Sequence, residues 1–327
     1  MKKRKSLYEI TITAFLSLGL FFTACQSPNQ NQITDEGPLV TVSILPQVFF
    51  VERIADDSLR VNVMVSPGDE PHTYEPTPEQ MRQLSNSQVF FSIGVEYEEN
   101  WIPRFKDVNP NLTIVDSASG IERIPMGDHH HHHDEEDHDH EADGEDLHQD
   151  ENGEDHHHDH EEEGENLDPH VWLSPENGKI IASNVLESLI ALIPEKESDL
   201  QENYNELIAE IDTLDAAIEA SLSGLPQRTF MVFHPAWGYF AEQYDLEQIP
   251  VQVGGQEPSP SELTKLIDLA REEEIRVIFI QPGFDSTSVE AIAEEIDAQI
   301  AEVDPLARNW LENLNTVSET FAAALGK

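Results

Sequence analysis

The sequence predicts an α/β protein of two lobes, each a parallel sheet flanked by helices, with one long rigid helix joining them. Three observations carry that expectation. Strand-like runs rich in β-branched and aromatic residues alternate with amphipathic runs in both halves of the chain, the pattern of βα units. One uninterrupted apolar stripe lies between the halves. The length, 327 residues, suits two domains of ordinary size.

The chain opens with Lys2-Lys3-Arg4-Lys5, an uncharged and mostly apolar run over residues 10–24, and Ala24 immediately before Cys25, the sole cysteine. A basic region, an apolar region and a small residue at a cleavage point form an export signal over residues 1–25. The run is shorter than the roughly 20 apolar residues of a membrane span. The arrangement resembles a bacterial lipoprotein signal, which implies that Cys25 becomes the lipidated first residue and ties the protein to a membrane; Phe22 stands where such signals carry leucine. One cysteine permits neither an intramolecular disulfide nor a cysteine-built zinc site. Residues 26–38 read as a polar linker.

The N-terminal lobe is expected over residues 39–193. Segments 39–45, 60–65, 88–93 and 112–115 read as strands, with helical pieces at 47–56, after Thr77 and around 98–107. Thr77 and Gln80 form a capping box with Pro78 at the first helical position, where its missing N–H is harmless. After Asp168-Pro169-His170, Ser174 caps a helix that begins with Pro175 and runs to about residue 191. The linking helix is placed over 194–224: Leu200, Tyr204, Leu207, Ile208, Ile211, Leu214, Ile218 and Leu222 recur every three or four positions, and Gly224 and Pro226 end it. If it runs from 195 to 222 it is roughly 40 Å long at 1.5 Å per residue, the span of a whole domain. The C-terminal lobe, 225–327, repeats the alternation, with strands at 229–233, 248–253, 276–280 and 300–303. Its helices lie at 237–244, after the capping boxes Ser259/Glu262 and Thr287/Glu290, and at the chain end.

Residues 127–165 interrupt the first lobe. They hold 12 of the 15 histidines and 19 acidic residues, and too few apolar side chains to offset the entropy of ordering them, so a disordered insertion is expected. A solvated acidic loop is the simplest account of it. The density of imidazole at His129, His130, His131, His132, His133, His138, His140, His148, His156, His157, His158 and His160 favours weak, exchangeable metal sites instead. Their affinity would collapse as the histidines protonate below about 6.5.

With 18 basic against 65 acidic residues and a formal charge of -47, nucleic acid is excluded as a natural partner and cations are favoured. Nucleotide chemistry is not supported, since Gly254-Gly255 lacks the lysine or third glycine of a phosphate loop.

Outside the insertion only three histidines exist: His72, His170 and His234. Each stands beside a proline at the end of an apolar run. One alone reads as a loop histidine with a local hydrogen bond; as a set they read as one metal site, two ligands from the first lobe and one from the second. Three neutral imidazoles and one carboxylate would close a tetrahedral zinc shell, in the cleft where strand ends of two α/β lobes meet. Imidazole-rich coordination favours Zn2+ over manganese. A catalytic zinc with an open water position is the rival chemistry, but no general base or substrate pocket is visible, and the reading is that the chain is not an enzyme.

Pro71-His72-Thr73-Tyr74-Glu75-Pro76, Asp168-Pro169-His170-Val171-Trp172-Leu173-Ser174-Pro175 and Phe233-His234-Pro235-Ala236-Trp237-Gly238-Tyr239-Phe240 resemble the metal-site segments of the zinc/manganese solute-binding proteins of ABC importers, the ZnuA-like group. The resemblance covers nearly all of residues 39–327. It implies a monomeric, exported protein, periplasmic or lipid-anchored, that captures Zn2+ between its lobes and delivers it to a membrane permease while the His-rich loop collects or senses metal. Manganese-binding and adhesin-type lipoproteins are the nearest alternatives. For the fourth ligand the resemblance favours Asp304, matching a late carboxylate of manganese-type relatives and standing at a strand end like the histidines, with Glu70, beside the first histidine, and water as the alternatives. Glu75 and Asp168 either orient a histidine through its other ring nitrogen or serve as turn residues.

Overall fold

Two four-stranded sheets with the same connectivity organise the chain in the computed structural model, which describes residues 37–126, 167–252, 255–283 and 287–326. In the first, β1 (Leu39–Val42), β2 (Arg60–Val63), β3 (Val89–Ser92) and β4 (Thr113–Asp116) lie parallel in the order β2-β1-β3-β4. In the second, β5 (Thr229–Val232), β6 (Glu247–Pro250), β7 (Val277–Ile280) and β8 (Gln299–Glu302) repeat it as β6-β5-β7-β8. Register follows the apolar pattern, with Val40 paired to Val61 on one side and Val89 on the other. Central β3 and β5 are buried along their whole length, as strands covered on both faces must be. In each sheet the order reverses between the first and third strands, which opens a crevice at their carboxyl ends.

The first lobe carries α1 (Leu45–Ala55), α2 (Pro78–Leu84), α3 (Tyr97–Val108) and α4 (Pro175–Leu192); α5 (Glu197–Leu222) follows; the second carries α6 (Gly238–Gln243), α7 (Pro260–Glu272), α8 (Thr287–Ile296) and α9 (Trp310–Leu325). The capping boxes at Thr77 and Ser259 form as the sequence predicts, and the Ser174 hydroxyl accepts the Asn177 N–H. The predicted Thr287/Glu290 start abuts residues outside the described set; Cys25 and the insertion 127–165 lie outside it.

Two of the boundaries that differ from the sequence reading concern the first strand and the long helix. The first strand ends early and α1 begins at Leu45 because the buried Gln47 side chain takes the strand end over. Its Oε1 accepts the N–H groups of Ser43 (2.9 Å) and Ile44 (3.1 Å), and its amide donates to the carbonyls of Phe91 and Ser92 and to Ser117 Oγ. The long helix starts at Glu197, after a separate 3₁₀ turn at Pro194–Lys196.

α5 is not a free-standing strut. Its Leu200, Leu207, Ile211, Leu214, Ile218 and Leu222 are buried in one continuous core with the first sheet, α1, α4 and α9. The second sheet alternates between two cores with the strand period of two: Phe230, Val232 and Phe279 join the large core, while Met231, Phe233 and Ile278 face α7 and α8. α9 ties the lobes together. Phe321 stacks 4.3 Å from Phe279 of the second sheet, and at the helix start the Trp310 ring lies 5.0 Å from Phe50 of α1. Among the described residues no helix is long and apolar enough to cross a membrane.

Gly178 on α4 admits the Trp310 ring: a Cβ there would lie 2.6 Å from it. Gly178→Ala is therefore expected to destabilise the protein by about 1–3 kcal/mol through overpacking, although alanine is the better helix former. Urea unfolding checks this, and a stabilised variant would contradict it.

Candidate metal centre

The three lone histidines meet. His72 lies on the loop between β2 and α2, His170 precedes the 3₁₀ turn Val171–Leu173 that leads into α4, and His234 stands two residues beyond β5. His234 Nε2 is 3.1 Å from His72 Nε2 and 3.2 Å from His170 Nε2. The donor atoms of the three all lie within 4.8 Å of one another. Among the described residues no strand precedes His170, and an isolated bridge, Pro125 to Leu167, stands there.

Each ring is aimed by an acceptor on its far side. His170 Nδ1 donates to Asp168 Oδ1 (2.7 Å), which also accepts the His170 backbone N–H (2.8 Å). His72 Nδ1 lies 2.5 Å from Glu96 Oε2, and His234 Nδ1 lies 2.8 Å from Gln252 Oε1. With the proton of each ring held at Nδ1, the lone pairs of all three Nε2 atoms face one point. Nitrogens at about 2.0–2.1 Å from a tetrahedral zinc stand roughly 3.3–3.4 Å apart, close to the two spacings found.

Among the carboxylates, Asp168 is buried against His170. Glu70 Oε1 accepts the His72 N–H at 3.3 Å and lies 3.5 Å from His72 Nε2, at the edge of the cluster. Asp304 Oδ1 accepts the Leu306 N–H at 2.8 Å, and its carbonyl accepts from Asn313; neither Asp304 nor Glu70 belongs to the group whose donor atoms all lie within 4.8 Å of one another. Glu75 is exposed, and the position at His72 Nδ1 belongs to Glu96. Glu96 and Gln252 are the residues that sequence reasoning passed over. Both stand just past the carboxyl end of a strand, β3 and β6, so the rule that found the histidines applied to them too.

The rings differ electrostatically. Burial alone pulls the His72 pKa down, but the hydrogen bond and charge of Glu96, aided by Glu70 and Asp168, outweigh it and leave the value raised above 6.5. For His234, burial and then the neighbouring His170 and His72 lower it to about 3. His234 is thus neutral and ready to bind at any ordinary pH, whereas a proton competes with metal at His72.

A family model described as "ZnuA: Zinc-uptake complex component A periplasmic" matches residues 40–324. The chain belongs to the ZnuA family. Zinc-binding protein AdcA of Streptococcus pyogenes serotype M3 is 28% identical over 302 residues, 90% of this chain but 56% of the relative. The chain thus spans about half the length of that relative. High-affinity zinc uptake system protein ZnuA of Bacillus subtilis is 28% identical over 264 residues, covering 80% of this chain and 76% of the relative. Among solved structures, a ZnuA deletion mutant with zinc bound is 36% identical with a TM-score of 0.75, covering 89% of this chain and 99% of that one.

Because Glu96 favours the protonated form of His72, metal affinity is expected to fall as pH drops through a value above 6.5. Glu96→Gln removes the negative charge, so the midpoint of that loss should move to lower pH while affinity at about pH 8 weakens up to about tenfold. Zinc competition with a chelator across pH 5–8 reads both. A midpoint that stays put would contradict the assignment.

Proposed function

We propose that this chain is the extracytoplasmic zinc-capturing component of an ABC importer. It binds one Zn2+ between its lobes through the Nε2 atoms of His72, His170 and His234 and hands the ion to a membrane permease. The observation that carries the reading is the convergence of three Nε2 lone pairs from both lobes, each ring fixed by an acceptor at Nδ1. Membership of the zinc-uptake family supports it, and the nitrogen-rich donor set favours zinc over manganese. Glu70 is proposed as the fourth ligand, since its Oε1 already lies 3.5 Å from His72 Nε2 at the edge of the cluster, whereas Asp304 Oδ1 accepts the Leu306 N–H.

The same architecture suits capture and release better than catalysis. His170 is 4% exposed, and a closed tetrahedral shell leaves no position for a reacting water. Export through residues 1–25, with Cys25 as a lipid anchor, would hold the protein beside its permease. The His-rich insertion 127–165 is proposed to collect metal at sites weaker than the interlobe one.

His170→Ala or His234→Ala is expected to weaken the tight zinc by at least about tenfold, and Glu70→Gln by a similar factor, while Asp304→Asn leaves it unchanged. Chelator competition measures all four, and a large loss confined to Asp304→Asn would reverse the choice of fourth ligand. Removing residues 127–165 should leave one tight zinc per chain and abolish the weak ones in an equilibrium titration. Loss of the tight ion instead would mean that the insertion, not the cleft, is the principal site.

A further inference from the structure

Asp168, which aims His170, is itself gripped from both lobes. On its own side its N–H donates to the Ile124 carbonyl (2.9 Å), and its carbonyl accepts from Arg123 Nη1 (3.5 Å). From the other lobe, the buried Tyr239 hydroxyl donates to the same Asp168 carbonyl (2.9 Å) and accepts the Ile124 N–H (3.2 Å). Its neighbour Gly238 presses on the carboxylate: a Cβ at Gly238 would stand 2.5 Å from Asp168 Oδ2. Asp168 is 1% exposed, so the carboxylate has no solvent into which to retreat. Any shift of it carries Oδ1, and with it the His170 ring.

Gly238 opens α6 with a backbone conformation open to any residue, since its φ is not among the positive ones. Ordinarily alanine at such a place stabilises a helix, both by propensity and by lowering the entropy of the unfolded chain. A glycine is needed here only because Asp168 Oδ2 occupies the space that a side chain would fill. Gly238 and Tyr239 also follow His234 on the same turn into α6.

We propose that Gly238 and Tyr239 are positioning residues for the metal centre: the lobe that contributes His234 also sets the direction of His170, by holding Asp168 through the carboxylate and the carbonyl at once. The inference rests on the zinc reading above. Its consequence is that the geometry of His170, a ligand of the first lobe, depends on the seating of α6 from the second. Separation of the lobes there would loosen two of three ligands together.

The test is a double-mutant cycle on the full chain, reading zinc affinity by chelator competition and ligand geometry by the visible spectrum of the Co2+-loaded protein. Gly238→Ala should weaken zinc about tenfold, within the range for loss of a group that orients a ligand, and should alter the cobalt spectrum. In an Asp168→Ala background the same change should cost less than about twofold, because the two act through one contact. Tyr239→Phe should show a smaller loss, about threefold, with the same non-additivity, and it serves if Gly238→Ala does not fold. Undiminished affinity with an unaltered cobalt spectrum in either folded variant overturns the proposal, as do penalties that multiply in the Asp168→Ala background. If instead the wild-type chain holds no zinc that His234→Ala removes, it is the zinc reading itself that fails.

Discussion

Imidazole nitrogens 3.1 and 3.2 Å apart, all carrying lone pairs directed at one point, repel one another unless a proton or a metal cation stands between them. Nearly everything around the three rings works to maintain that arrangement. Glu96, Asp168 and Gln252 keep the ring protons on the far nitrogens, so relief by tautomer exchange is closed. Relief by protonation is resisted at His234, where burial and two neighbouring imidazoles hold the pKa at about 3. A divalent cation satisfies what is left.

The fold supplies the rigidity that such a site needs. Two tryptophans lock the His170 segment to the chain's last helix: Trp172 Nε1 donates to the Pro305 carbonyl (2.7 Å), and Trp310 Nε1 donates to the Trp172 carbonyl (2.6 Å). Trp310 belongs to α9, whose other end is packed on the second sheet through Phe321. One core therefore runs from β1 through α4, α5 and α9 to β5 and β7. Opening the lobes like jaws would expose that shared core at a cost of about 25 cal/mol for each Å² of apolar surface.

Much of this was legible in the residues. Strand and helix alternation, three capping residues and the apolar stripe of α5 predicted the two sheets and the connecting helix, since each rests on local chemistry. His72, His170 and His234 were recognisable because every other histidine lies in one low-complexity segment. What escaped was decided by contacts between distant segments. Glu96 is one acid among several after β3, and nothing local distinguishes it from Glu98 or Glu99; only the fold brings it to His72, 24 residues away. Asp304 fitted the expected position of a ligand, yet its oxygen turns back to Leu306. The continuous core was hidden as well, because a helical stripe says which face is buried but not how many partners bury it.

Diffraction from zinc-loaded crystals at the zinc absorption edge bears most directly on the central claim. A single strong anomalous peak is expected within bonding distance, about 2.0–2.1 Å, of Nε2 in His72, His170 and His234 together. A principal peak elsewhere, or one bonded through Nδ1 or lacking any of the three rings, would contradict it.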